Sequence, residues 1–357
     1  MTVEQPPAAS AHPPGRPGRM ARFLPRAGRG GLWTAAVAGW LWGLGALWWF
    51  AAWPPIARHF AAGTWLCLLG AVFVLVHRRY KPYTLIASAA VVALLWSFQQ
   101  PALDRDWSPD QVMLPKAAQS GSRITIRNIR HTVYRTETDL DVAWYDRSFD
   151  LDTLVSADFM VETFDAWRGP AHTLISFGFA DGDHIAISVE IRRERGEEFS
   201  ALRGLFRNYE IMYVIGDERD LIGLRANIRR NPVYLYPVKA APERIRALFT
   251  AMLKRATRLA AAPKFYNTLT NTCTTNITGH LRELGRTGFF PDHRVLLPGY
   301  ADELALELGL IDVSGTIAEA RARYRINDRS AFGADGREWS RQIRGLPPAT
   351  PRSGNQP

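Results

Sequence analysis

Cysteine is scarce in this chain. Its 357 residues hold two, Cys67 inside an apolar run and Cys273 in the polar stretch "FYNTLTNTCTTNITGHLRELG". Neither a disulfide framework within one domain nor a cysteine-ligated zinc site can be assembled from them. Histidine offers no substitute, because His131 and His293 form no metal-ligand spacing with anything nearby; no metal and no cofactor are expected. The phosphate loop, the dinucleotide fingerprint and the G-x-S-x-G elbow are all missing, which leaves nucleotide-dependent chemistry and the serine-hydrolase elbow without their motifs. Acidic residues are absent from 16–30, where Arg16, Arg19, Arg22, Arg26 and Arg29 sit in a Pro/Gly-rich arm that cannot build a core. That arm carries much of the +10 net charge, so the basic balance does not call for nucleic acid. No internal repeat is visible.

What is abundant is tryptophan, and it is unevenly spread. Of 12 in the chain, Trp33, Trp40, Trp42, Trp48, Trp49, Trp53 and Trp65 fall in one N-terminal stretch. After the arm of residues 1–31 come three apolar runs, 32–53, 60–76 and 83–98, which predict three membrane-spanning helices; the first is long enough for a hydrocarbon core of roughly 30 Å. A cleavable signal peptide fits the first run poorly, because the run is too long, lacks a small-residue cleavage site and is followed by more apolar sequence. Positive charge then sets the orientation. The arginine arm and the "HRRYKP" connector stay in the cytoplasm, so everything after residue 99 is expected on the outer side, whether the chain crosses three times or once.

Residues 99–122 read as an extended linker, with prolines, scattered charge and no periodicity. From Arg123, "RITIRNIRHTVYRT" and "DLDVAWYD" alternate as half-buried strands. In "APERIRALFTAMLKRATRLAAAP" the residues Ile245, Leu248, Phe249, Met252, Leu253, Ala256 and Leu259 recur at helical spacing between Pro242 and Pro263. The prediction is a single α+β domain over 123–330 and a polar, flexible tail over 331–357.

The hairpin "AHTLISFGFADGDHIAISVEIRR" turns at Asp181-Gly182-Asp183. A three-residue loop pairing Ala180 with His184 puts Ile175, Phe177, Phe179, Ile185, Ile187, Val189 and Ile191 on one face, where a one-residue slip would mix polar and apolar side chains. His172, Ser176, Ser188 and Glu190 share the other face, with Glu190 diagonal to His172 and within side-chain reach. Downstream, Ile277, Leu281 and Leu284 follow a helical stripe, Gly285 suits its end, and Asn271 or Thr272 suits its N-cap. Cys273 then lies in the first turn, where unpaired amides and the helix dipole favour a thiolate. Singly, Cys273 reads equally as a packed small residue and His172 as a satisfied structural histidine. Together with Glu190 they form the set that a cysteine nucleophile needs: a thiol, a base to take its proton and a group to orient the base. His280, two turns along the same helix, reads as structural.

The segments from "HTLISFGFADGDHIAISVEIRR" through "VIGDERDLIGLR", "VYLYP" and "FYNTLTNTCTTNI", in that order, resemble the Lnb N-terminal periplasmic domain, a bacterial exported domain of proteins implicated in N-acylation of lipoproteins. The order of histidine strand and cysteine helix also resembles permuted papain-like folds such as lecithin retinol acyltransferase. The resemblance implies Cys273 as nucleophile, His172 as base and Glu190 as third member, on a multi-pass bacterial inner-membrane protein with a phospholipid acyl donor and a lipoprotein acceptor. A cysteine peptidase or amidase of the envelope would use the same residues, and a non-catalytic membrane-anchored binding or assembly module would use none of them chemically.

Overall fold

A computed structural model describes residues 26–50, 53–164, 167–289, 292–333 and 336–347; the arm over 1–25 and the end of the tail over 348–357 lie outside them. The chain divides into two units, one comprising the apolar helices and the other beginning at Phe98 apart from a short insert at 49–54.

In the first unit three helices run α1 (Arg26–Trp48), α2 (Pro55–Leu75) and α3 (Lys81–Ser97). Helix α2, at 21 residues, is long and apolar enough to cross a membrane, and α3 is a shorter apolar helix. Helix α1 has 23 residues but dilutes its apolar content with glycine and tryptophan. Its Trp40 stacks on Trp65 of α2 at 5.9 Å, and the Trp65 indole N–H donates to the Trp40 carbonyl at 3.1 Å. A buried donor is thereby satisfied inside the unit.

The second unit is α+β. Its strands are β1 (Lys116–Ser120), β2 (Arg123–Tyr134), β3 (Leu140–Asp150), β4 (Leu154–Thr163), β5 (Ala171–Phe179), β6 (His184–Arg192), β7 (Glu210–Gly216) and β8 (Val233–Pro237). They form one mixed sheet ordered β1-β2-β7-β6-β5-β4-β8, with β3 pairing β2 from outside that path. Every pairing is antiparallel except β2 with β7. The helices are α4 (Glu218–Gly223), α5 (Pro242–Ala261), α6 (Cys273–Glu283), α7 (His293–Leu296), α8 (Ala301–Glu307), α9 (Ile317–Tyr324) and α10 (Gly336–Ile343).

Alternation along the central strands feeds two cores. Ile175 and Phe177 of β5, Ile185, Ile187 and Val189 of β6, and Ile211, Tyr213 and Ile215 of β7 join the stripe of α5, and Cys273 and Ile277 of α6, in one cluster. Their neighbours Leu174, Ala186, Met212 and Val214 face the other way, against Leu221 and Ile222 of α4 and Trp339 and Ile343 of α10. The α5 stripe is buried as its periodicity predicts.

Three expectations change. Residues 99–122 are not a free linker. Trp107 is buried under the Arg192 guanidinium at 4.1 Å, and β1 pairs in register with the start of β2. The tail is not uniformly flexible either: α10 closes the second core with Trp339 fully buried, because its few apolar residues all fall on one face. Finally, the hairpin loop has three residues but starts one position earlier than the sequence reading placed it. Phe179 N–H donates to the Asp183 carbonyl at 2.9 Å and Gly178 pairs with His184. A three-residue loop needs a left-handed residue at its last position, and Gly182, at φ +89°, supplies it. The faces survive, since the pairing moves by two residues. Continued two residues past the Leu174–Ser188 pair, the ladder sets His172 opposite Glu190 rather than diagonal to it.

Candidate functional site

The cysteine segment uses its polar residues to build a helix start. Thr272 is the N-cap: its hydroxyl accepts from Thr275 N–H at 3.2 Å, and the Thr275 hydroxyl accepts from Thr272 N–H at 2.7 Å. The reciprocal pair satisfies two amides that a helix leaves open. Upstream, Asn267 Oδ1 accepts from Leu269 and Thr270 N–H at 3.0 Å each, and Asn271 donates to the Phe265 carbonyl at 2.7 Å. Cys273 is thereby held as the first helical residue of α6. Its sulfur lies 3.7 Å from the Thr274 hydroxyl, and the residue is 8% exposed.

The thiol lines a cavity of about 710 Å³, mouth included, at the end of the sheet where β5 begins and β6 ends. His172, Glu190 and Glu162 line the same cavity, as do Arg193, Arg225, Arg229 and the aromatic rings of Phe164, Phe199 and Tyr266. The three residues singled out in the sequence are thus brought to one space. They are not hydrogen-bonded into a triad: among the described residues the thiol forms no bond to the imidazole, and the imidazole forms none to Glu190.

The partners are others. His172 Nε2 is 2.7 Å from the Ser188 hydroxyl. Burial and the nearby Arg225 charge push its pKa down to about 3, with Glu190 pulling the opposite way. The imidazole is therefore neutral at neutral pH, the form that can take a proton, though a weak acceptor of one. Burial would raise the Glu190 pKa, but the Arg225 guanidinium, then His172 and Arg130, overcome it and hold the carboxyl well below the usual range.

Arg225 is the centre of this arrangement. It lies in a π-helical turn, Leu224–Ile228, that continues α4, is 3% exposed, and donates to Glu190 Oε1 at 2.8 Å. Its Nε stands 2.9 Å from Glu162 Oε2, a charge contact without hydrogen-bond alignment, since both atoms lack a bonded partner. Glu162, fully buried, accepts from Asn231 at 2.8 Å. The widened turn carries the guanidinium over the sheet, and π-turns of this kind recur at functional sites. Sequence reasoning missed Arg225, Glu162 and Ser188. Ser188 alternates onto the His172 face and was within reach of the strand argument, whereas "LIGLRANIRR" carries no signal that its first arginine turns inward.

His280 is structural, with Nε2 2.8 Å from the buried Tyr213 hydroxyl. His184 stands at the hairpin turn with Nδ1 3.1 Å from the Gly182 carbonyl, at the far end of the strand from the cavity.

The family model described as the Lnb N-terminal periplasmic domain matches residues 141–299, a span that begins in β3 and ends just before α8. No curated protein and no solved structure matches the chain.

Proposed function

For a chain whose residues 141–299 belong to the Lnb N-terminal periplasmic domain family, we propose a membrane-anchored thiol acyltransferase that works outside the cytoplasm through an acyl-cysteine at Cys273. The observation that supports this reading best is the shared cavity, in which a cysteine at a helix start and a neutral histidine line the same space. On this reading the anchor is the apolar N-terminal region, crossing a bacterial inner membrane three times with its arginine arm inside. The domain is a permuted relative of the papain-like fold.

The chemistry runs in two displacements. The Cys273 proton passes to His172 and the sulfur attacks an ester carbonyl of a phospholipid; the ester C–O bond breaks, and the leaving alkoxide takes the proton from His172. A free amine, that of a lipoprotein N-terminus, then attacks the thioester. The C–S bond breaks, an amide forms, and the amine proton returns to sulfur. Arg225 is a positioning residue that keeps Glu190 ionised beside the imidazole, where its charge stabilises the imidazolium formed in the first step. Because His172 is a weak acceptor, the helix start has to carry part of thiol activation.

A second reading, a binding module without catalysis, draws on one observation: Cys273 is packed into the apolar cluster beside Val189 and Ile277. The two are separated by incubating the full-length protein with phospholipid vesicles. Acyl transfer predicts a hydroxylamine-labile mass increase of one fatty acyl chain on Cys273, absent in Cys273→Ala and reduced at least tenfold in His172→Ala. A folded protein that acquires no adduct, and whose thiol resists iodoacetamide until denatured, would establish the binding module instead.

A further inference from the structure

A second cavity lies on the opposite flank of α6. Counting the solvent at its open mouth it spans about 900 Å³, of which the centres of water-sized spheres can reach about 90 Å³. Its walls are apolar and mostly aliphatic, with Ile245 and Leu248 from α5, Ile277 and Leu281 from α6, and Leu304 and Ala305 from α8. The two threonines that reach it have spent their hydroxyls elsewhere. Thr278 donates to the Thr274 carbonyl at 3.0 Å, and Thr274 pairs with Thr173 at 3.2 Å. The interior thus offers hydrocarbon and almost nothing polar.

Its rim is cationic. Arg244 and Arg286 also line the cavity, and being exposed and half-buried respectively they mark where it meets solvent. Elsewhere in this unit the buried Arg130 and Arg225 and the half-buried Arg344 are tied to carboxylates, and the buried Arg192 to the Gln111 and Val112 carbonyls. Among the described residues the Arg244 and Arg286 guanidinium groups have no hydrogen-bond or ion-pair partner. The third cation of the rim, Lys239, reaches only the exposed Asp312 at 3.9 Å.

We propose that this cavity is a binding site for a single hydrocarbon chain carrying an anionic head, with the chain lying among the α5, α6 and α8 side chains and a carboxylate or phosphate held by Arg244 and Arg286. An apolar interior alone would take any oily molecule; two uncompensated guanidinium groups at its edge select one with a charged end. The site and the thiol cavity both border β4, β5 and α6 but have no lining residue in common: Phe159, Ile175, Thr274, Ile277 and Thr278 face one, and Glu162, His172 and Cys273 the other. Binding here therefore does not depend on acyl transfer.

The test uses full-length protein in phosphatidylcholine nanodiscs and two photoreactive probes with the same single diazirine-bearing chain, one a free dodecanoic acid and one a lysophosphatidylglycerol. Labelled positions are mapped by mass spectrometry. The expected result is labelling within 242–261, 273–284 and 301–311 by at least one probe, and which probe labels identifies the head as free carboxylate or lipid phosphate. Excess laurate competes, dodecanol does so at least tenfold less well, and shortening the competitor by two carbons weakens it roughly tenfold. Leu284→Trp, which fills the cavity, and the rim variant Arg244→Glu with Arg286→Glu each cut labelling at least fivefold, while Cys273→Ala leaves it unchanged. The rim substitutions lie at the surface and retain the fold, so their effect is readable even where the tryptophan variant unfolds. Labelling confined to the apolar helices before residue 98, or equal in wild type and the rim variant, would overturn the proposal.

Discussion

The two flanks of α6 make unlike environments from one helix. On one, Ile277, Leu281 and the side chains of α5 and α8 surround space that is almost wholly apolar. On the other, Cys273 borders a cavity backed by Glu162, Glu190 and Arg225, all three held in a low-dielectric interior. An apolar cavity needs only matched side chains, each contributing by area removed from water. A charged one needs every member present, because each ion was taken out of water on the strength of the others.

That contrast predicts that the charged flank fails harder. Removing the guanidinium in Arg225→Ala takes from Glu190 its ion-pair partner and leaves the buried Glu162 with only Arg229, at 3.8 Å, and should cost about 3–5 kcal/mol. Deleting one methyl group in the apolar cluster with Ile277→Val should cost about 1 kcal/mol. Urea denaturation of both variants compares them directly, and equal losses would mean that the buried ions are better hydrated than their burial implies.

Acid should expose the same asymmetry. The folded pKa of His172 lies at about 3, below its ordinary 6.5, so the unfolded chain binds the proton more readily. The contribution of the neutral ring is complete above pH 6.5 and is lost as pH falls toward 3. Glu218, fully buried on the charged side of the sheet, has its pKa brought down to about 2: burial opposes the shift, but the Arg344 charge outweighs it. Its contribution is present above about 4.5 and lost on approach to 2. Stability should therefore fall in two stages. The first, starting near pH 6.5 with a slope of up to about 1.4 kcal/mol per pH unit, should vanish in His172→Phe. A first stage that persists in that variant would move its origin to another group.

An effect no larger than that of Ile277→Val is expected at the N-cap. Thr272→Ala removes the hydroxyl that accepts from Thr275 N–H and should cost about 1 kcal/mol. It should also slow alkylation of Cys273 at fixed pH, which distinguishes a cap that tunes the thiol from one that only holds the helix. Unchanged alkylation would place the thiol outside the influence of the helix start.

Much of this was legible in the residues. The α5 stripe, the two faces of the β5–β6 hairpin and the capped start of α6 are local patterns of period 3.6, period 2 and capping chemistry, and each appears as read. The hairpin register was misplaced by two residues because the demand of the loop for a left-handed last position outranked the symmetry of Asp181-Gly182-Asp183. Ser176 and Ser188, which alternation sets on the polar face, are both fully buried, because α4 and α10 cover that face and bring charges to meet it.

The sequence by itself determined the segments: apolar helices, then an α+β domain, a thiol at a helix start, and histidine and glutamate on one face of a hairpin. These follow from interactions within a few residues of each other, which spacing records. Only the tertiary structure decided that Arg225 stands between Glu162 and Glu190, that Ser188 rather than Glu190 touches His172, that residues 99–122 and 336–343 are packed, and that α6 divides two cavities. Those contacts join residues far apart in the chain. Their energy comes from a buried charge or apolar surface finding its complement across the fold, and no local pattern names the partner.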